Sequence, residues 1–414
     1  MSAVLALLIA ASSSQVLTLS DALAEARLRN LDIKAAQARL VQARQASAKA
    51  WAAYLPQVSA SASYLRNSSQ IDLPGDLVLQ PRNQLGVQAE LRQALFAPSL
   101  LAGVQAARQA EQIAALTTEA QRRDILQLVA ETYLGALAQQ ELIYAHERLL
   151  DVSRDRLKDT GARVAAGGAT RAALLRASVD TARAEQALIA ATTALGAAKL
   201  ALGTLLQRDA AFDLVEPSAP DSLGTQAAQS GRGAQERPDV AAAHLGVELA
   251  ETNRRGARLQ YLPTLGFIAG VQAGNAQNFV GEHATWLAGV ALTLKVWDGG
   301  TREAEGREQA ARIEEARLQS RSADAREAEE IARSALEIES AQASLAKAEQ
   351  ALAAARENQR LVEAGFRAGA VAQVEATDAA AALASAEVAV VAERLQVSLA
   401  RLRQQKAMGN FPNG

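Results

Sequence analysis

Gln57-Val58-Ser59-Ala60-Ser61-Ala62-Ser63-Tyr64 alternates strictly between polar and apolar side chains. Period two over such a stretch marks a strand with one wet face and one apolar face. Downstream, Leu85, Val87, Ala89 and Leu91 fall on one face, and Gln88, Glu90 and Arg92 on the other. Two more segments repeat the pattern. Leu265, Phe267, Ala269 and Val271 share a face, as do Trp286, Ala288, Val290, Leu292, Leu294 and Val296, opposite Thr293 and Lys295. Connecting loops at 66–84 and 275–284 predict β-hairpins over 57–95 and 264–297. Each strand has roughly ten residues, the length that spans a bilayer when tilted.

Long helices flank these hairpins. Tyr54-Leu55-Pro56 and Tyr261-Leu262-Pro263 lie before the first strand of each pair, where proline stops a preceding helix. After each hairpin, 98 to about 163 and 300 to about 366 are rich in Ala, Gln, Glu, Arg and Leu and carry no internal proline. A helix of ~65 residues extends on the order of 100 Å. Gly167-Gly168 and Gly369 break the pattern, and a second Ala-rich helix then returns. Small residues along both arms allow close antiparallel packing.

The order of elements occurs twice. Asp32 and Asp239, and the two Tyr-Leu-Pro entries, share an offset of 207 residues. Leu95-Phe96-Ala97-Pro98 matches Val296-Trp297-Asp298-Gly299, and Ala166-Gly167-Gly168-Ala169 matches Ala368-Gly369-Ala370-Val371. A period this long is a duplicated domain rather than a short solenoid repeat. The expected organisation is a secretory-signal remnant at 1–14 and a first repeat over 15–208, with its long helical hairpin at 98–206. A connector at 209–235 follows, then a second repeat over 236–406 with its hairpin at 300–406, and a tail at 407–414.

Composition narrows the function. The chain has 414 residues and a net charge of −2, so it shows no electrostatic footprint for nucleic acid. Half is hydrophobic but only 3% is aromatic, which argues against a thick globular core. With no cysteine in the sequence, no disulfide framework, cysteine-based metal site, thiol nucleophile or lipid anchor on cysteine is expected. His146, His244 and His283 lie far apart in sequence, so no metal site is expected, and no cofactor or enzyme activity either. No uninterrupted apolar run of ~18 residues appears, so no transmembrane helix is expected.

Four strands cannot close a barrel, and open sheet edges are not tolerated in lipid. Three copies supply twelve, an even number within the range of outer-membrane barrels. The expected fold class is therefore mostly α with a small β part. Long antiparallel helical hairpins form an α-barrel tunnel, and four transmembrane strands per chain form a trimeric 12-stranded β-barrel. Gln57, Ser59, Ser61, Ser63, Gln88, Glu90 and Arg92 suit a water-filled lumen. The rival class, a soluble or periplasmic coiled-coil scaffold or adaptor, leaves the alternating segments unexplained.

Taken in order, several motifs resemble the TolC-like outer-membrane efflux protein family over nearly the whole chain. They are Leu17-Thr18-Leu19-Ser20-Asp21-Ala22-Leu23, Arg237-Pro238-Asp239-Val240, the two Tyr-Leu-Pro entries, Trp297-Asp298-Gly299-Gly300 and the two glycine turns. The resemblance implies a homotrimer in the outer membrane of a Gram-negative bacterium, with a large periplasmic part. It implies a passive exit duct for a tripartite efflux or type I secretion system. The partners implied are a periplasmic membrane-fusion adaptor, an inner-membrane pump of RND, ABC or MFS type, and outer-membrane lipid.

Candidate sites follow from the residues and the resemblance together. Glu375 and Asp378, at i and i+3, share one helix face. They match the acidic positions that ring the tunnel entrance in relatives; the alternative is a solvated face near a helix N-terminus, where acids are favoured. The resemblance places adaptor docking at the tips, at Arg163, Gly167, Gly168, Arg367 and Gly369, where glycine lets another backbone approach. The two arginines alternatively serve as ordinary surface charges. Relatives can latch this turn with a tyrosine and an arginine; Phe366 and Val371 stand there here, so a hydrogen-bonded latch is not expected. Tyr54, Phe96, Tyr261 and Trp297 flank the strands, either as an aromatic belt at the membrane interface or as packing at the barrel–helix junction.

Overall fold

A computed structural model describes residues 15–74, 77–215, 237–278 and 281–410. The signal remnant expected at 1–14 and most of the connector expected at 209–235 lie outside the described residues. By internal contacts the chain divides into two compact units. One comprises 1–36, 119–237 and 325–414, the other 37–118 and 238–324. Each unit draws on both sequence repeats, so compactness cuts across the duplication.

The first unit opens with β1 (Gln15–Leu17) and α1 (Leu19–Arg29). Thr18 Oγ1 accepts the Asp21 amide at 3.2 Å, capping α1 and satisfying one of its orphan donors. Buried Asn30 separates α1 from α2 (Leu31–Ala52). Its carboxamide oxygen accepts the Asp32 and Ile33 amides at 2.9 and 3.1 Å, while its nitrogen donates to the Leu205 carbonyl at 2.9 Å. Two long helices follow, α3 (Pro98–Ala165) and α4 (Arg171–Leu206). A three-residue strand, β6 (Phe212–Leu214), then pairs parallel to β1. The core beneath this pair holds Leu23, Ile33, Leu126, Val129, Leu202, Leu206 and Phe212 around a fully buried Tyr133. The Tyr133 hydroxyl lies 2.8 Å from the Leu17 carbonyl and 2.7 Å from that of Val215. One buried hydroxyl thus links α3 to the C-terminal ends of both strands of the parallel pair.

Helix α4 is more apolar on average than a search for unbroken apolar runs shows. Among the described residues it is long and apolar enough, by length and composition, to cross a membrane, with a mean hydropathy of 1.5 over its most apolar window. Thr192, Thr193 and Lys199 interrupt the run, which hides it from a search for unbroken stretches, while alanine keeps the mean high. Ala191, Leu202, Gly203 and Leu206 are buried, and the Lys199 ammonium donates to the Phe212 carbonyl at 2.7 Å.

The second repeat contributes α5 (Pro238–Leu259), α6 (Thr301–Arg367) and α7 (Gln373–Ala407). Ion pairs in the first unit identify neighbouring helices. Arg154 on α3 meets Glu185 on α4 at 2.8 Å. Arg148 and Asp124 on α3 meet Glu387 and Lys406 on α7 at 3.1 and 2.6 Å. Arg403 and Arg394 on α7 approach Glu337 and Glu349 on α6 at 3.6 and 3.9 Å. The ion pairs thus join α4 to α3, α3 to α7 and α7 to α6. Such exposed pairs add little stability individually; their value here is positional.

The second unit carries the sheet. Strands β2 (Gln57–Arg66), β5 (Asn83–Phe96), β7 (Thr264–Gly274) and β8 (Ala284–Thr293) lie in the order β2-β5-β7-β8, every neighbour antiparallel. The loop after β2 is not plain, since β3 (Ile71–Leu73) and β4 (Leu77–Gln80) form a small ladder within it. The last strand is shorter than its alternation suggests. Leu294, Lys295, Val296 and Trp297 lie beyond β8, because the chain is already turning toward Gly299 and Gly300. Those two adopt φ of +71° and +84°, a region that glycine alone enters without strain.

Candidate functional site: an exposed sheet and two glycine turns

Register aligns the alternating residues across all four strands. Val58, Leu91, Ala269 and Ala288 sit in one row, and Ala60, Ala89, Val271 and Trp286 in the next. The face they form is apolar and open. Val58, Leu85, Val87, Val271, Val290 and Leu292 are exposed, and Trp286 is 80% exposed. An apolar patch of this extent on a monomer marks a surface meant to be covered by a partner or lipid.

The opposite face is mostly small or polar, although register places Ile268 and Leu287 on it too. Gln57, Ser59, Ser61 and Ser63 on β2 face Arg92, Glu90, Gln88 and Gly86 on β5. On β7 and β8 the same face presents Gly266, Gly270, Gly274 and Gly289, a feature that the alternation reading did not single out. Gly274 has a structural reason to be glycine, since a Cβ there would collide with the Leu85 carbonyl of β5. Glu90 and Arg92 pair on this face.

The four flanking aromatics gather at one end of the sheet. Register puts Gln57 beside Arg92, Leu265 beside Phe96, and Thr264 beside Thr293 there. The Tyr54 hydroxyl donates to the Leu95 carbonyl at 3.1 Å, next to Phe96. Arg302 lies 4.4 Å from the centroid of Tyr261, and its side chain reaches Asp298 at 2.6 Å and the Val296 carbonyl at 3.5 Å. Burial pushes the Asp298 carboxyl up, but hydrogen bonds and charge from Arg302 outweigh it and hold the carboxyl below its usual range. Trp297 is 80% exposed.

The two helical turns are structural twins in the first unit. Gly167 and Gly369 have φ of +75° and +76°. Gly168 N donates to the Arg163 carbonyl at 2.7 Å, and Ala370 N to the Gly365 carbonyl at 2.8 Å. Both are the backbone bonds of a left-handed helix C-cap. Their other ends differ. Thr170 caps α4 through the Ala173 amide, whereas Ala372 offers α7 no side-chain cap.

Glu375 and Asp378 are exposed on α7, while Ala376, Ala379 and Ala380 on its other face are buried. Asp378 is not in a purely acidic setting. It lines a recess with Asp180, Arg176 and Arg183 of α4, so two carboxylates meet two guanidiniums. Arg367 pairs with Glu363 one turn earlier at 2.9 Å. Arg163 instead places its guanidinium 4.4 Å from the centroid of Phe366, a contact between the ends of α3 and α6 that sequence reasoning missed. The repeat alignment does not signal it, since at the offset of Gly167 and Gly369 Arg163 corresponds to Gly365 and Phe366 to Val164.

A sheet with one open apolar face and one slim polar face, together with helices of 68 and 67 residues, defines an outer-membrane channel architecture. The family model described as outer membrane efflux protein matches residues 22–207 and 231–410, and the chain belongs to that family. It is accordingly an outer-membrane efflux channel protein of TolC type with a large periplasmic part. Solved structures agree on the fold. The outer membrane protein VceC of Vibrio cholerae is 20% identical with a TM-score of 0.77, over 94% of this chain and 96% of that one. The CmeC outer membrane channel of Campylobacter jejuni is 17% identical with a TM-score of 0.79, over 95% and 85%. The MtrE outer membrane channel of Neisseria gonorrhoeae, solved in an open state, is 20% identical with a TM-score of 0.77, over 94% and 88%. Among curated proteins, no sequence matches the chain.

Proposed function

We propose that three copies of this chain assemble into one passive exit duct of a tripartite efflux or type I secretion system. The observation that carries this reading is the four-stranded sheet with unpaired edges at β2 and β8. Its strands alternate in direction, so β8 of one copy meets β2 of the next antiparallel. Three copies then close twelve strands with no free edge, the arrangement lipid demands. The apolar face turns to lipid, the serine- and glycine-rich face lines water, and Tyr54, Phe96, Tyr261 and Trp297 lie at the interface. The duct takes its energy from an inner-membrane pump of RND, ABC or MFS type, reached through a periplasmic adaptor. The adaptor docks on the glycine turns, where Arg163, Gly167, Gly168, Arg367 and Gly369 are exposed, and Glu375 and Asp378 ring the entrance. The test is purification from outer membranes followed by native mass spectrometry and planar-bilayer recording. A trimer that conducts ions supports the reading; a non-conducting monomer overturns it.

A further inference from the structure

The first unit holds a cavity of about 240 Å³ where the 146–156 stretch of α3 meets α4 and α7. Alanine makes the room. Ala177 and Ala184 of α4 and Ala380 of α7 line the cavity and are buried, so methyl groups stand where closer packing calls for larger side chains. Leu149 and Val152 of α3, both half-buried, add apolar wall. The volume equals that of about eight waters, enough for one substituted aromatic ring. Apolar walls suit a small organic molecule better than a water cluster, since each ordered water needs polar partners of its own.

Its polar groups are few and mostly basic. Arg156 of α3 is half-buried and Arg183 of α4 exposed, with His146 and Asp180 also in the lining. Two guanidiniums against one carboxylate leave the lining positive even where His146 is neutral. Among the described residues neither guanidinium forms an ion pair or hydrogen bond, whereas the neighbouring Arg154 pairs with Glu185 at 2.8 Å. Burial draws the Arg156 guanidinium below its ordinary range, and Glu363 and Asp180 counter this only through their field. The Ser153 hydroxyl is engaged with its own helix, donating to the Leu150 carbonyl at 2.8 Å. A partly desolvated cation without a contact partner is unfavourable, and an incoming carboxylate relieves this through charge-assisted hydrogen bonds.

We propose that this cavity binds an amphipathic monoanion of the aryl carboxylate class, with its ring among Leu149, Val152, Ala184 and Ala380 and its carboxylate on Arg156 and Arg183. The planar guanidinium fork matches a carboxylate. A cation finds Asp180 outweighed by two guanidiniums, and a neutral ring leaves Arg156 without a partner. Asp180 and Arg183 also line the recess of Asp378, but Asp378 lies outside this cavity, so the site is separate from the acidic pair on α7. The cavity is formed within one chain, and the proposal stands whether or not three copies form a duct.

The test titrates the purified full-length protein in detergent with para-trifluoromethylbenzoate, followed by fluorine NMR. The uncharged para-trifluoromethylbenzamide controls for partition into detergent and apolar surface. Saturable binding of the benzoate is expected, with the amide about tenfold weaker or more. Arg156→Gln is expected to weaken the benzoate by a similar factor and to leave the amide unchanged. Ala184→Leu keeps both guanidiniums but fills the cavity, and is expected to abolish binding. Should that variant fail to fold, by its melting curve, Ala187→Leu fills the same wall from a half-buried position. Arg154→Gln, whose guanidinium is engaged with Glu185 outside the cavity, is expected to bind as the parent does. Absent binding, equal binding of benzoate and amide, or a benzoate affinity that neither Arg156→Gln nor the filling variants change would overturn the proposal.

Discussion

The Arg163 guanidinium lies 4.4 Å from the Phe366 ring centroid, joining the tip of one helical hairpin to the tip of the other. Phe366, which argues against a hydrogen-bonded latch in the sequence, thus takes part in a contact of different chemistry. At exposed sites such a contact is worth about 0.5–1 kcal/mol, about a 2–5-fold bias per copy. Arg163→Ala and Phe366→Leu are expected to raise the open fraction of single channels in planar bilayers. Phe366→Trp is expected to preserve or lower it, and identical gating in all three variants would show that the contact holds nothing.

Gly365 is constrained by packing rather than by its backbone angles. A Cβ there would stand 2.6 Å from Val371 Cγ2 across the second turn. Gly365→Ala is therefore expected to cost about 1–3 kcal/mol of local stability and to speed proteolysis at the turn. Val371→Ala in the same chain should slow proteolysis again by making room; an unrescued double variant would place the strain elsewhere.

At the entrance, Asp378 shares its recess with Arg176 and Arg183. Glu375→Gln with Asp378→Asn is expected to lower cation selectivity, measured as reversal potential in a salt gradient. Arg176→Gln alone should raise it, because the local field is a sum of both signs. A potential unmoved by either change would remove these residues from the permeation path.

Tyr133 tests the core of the first unit. Tyr133→Phe keeps the buried ring but leaves the Leu17 and Val215 carbonyls without its hydroxyl. The expected loss is about 1–3 kcal/mol, read as a lower denaturant midpoint at unchanged slope. Tyr133→Ala adds a cavity and is expected to cost about 3–5 kcal/mol.

Glu119 carries a pH dependence. Burial pushes its carboxyl up, but hydrogen bonds and charge from Arg122 and Arg123 outweigh this and hold it below the ordinary value of 4.5. Its folded value lies below its unfolded one, so its contribution is complete above 4.5. As the pH drops below that value the contribution fades, and it is gone once the pH has passed the folded value. Glu119→Gln is expected to be less stable than the parent at neutral pH, with the difference shrinking through the acid range. A constant difference across pH would assign the effect to packing alone.

Sequence by itself determined the kinds of elements here and their order. Alternation of Ser59, Ser61 and Ser63 with Ala60 and Ala62 dictates a two-faced strand, because strand side chains alternate by geometry alone. Proline and glycine mark where helices stop because both constrain the backbone locally. The duplication is visible for the same reason, since it needs only comparison along the chain. Tertiary structure decided what depends on residues distant in sequence. It placed the β7 and β8 glycines on one face, and it drew β1 and β6 into a parallel pair over Tyr133. It also set Asp378 beside Arg176, and Arg163 over Phe366. It ended β8 at Thr293, where the turn to Gly299 and Gly300 overrides an alternation that continues to Val296. Period and propensity act over a few residues, whereas these contacts form only once helices and strands have packed.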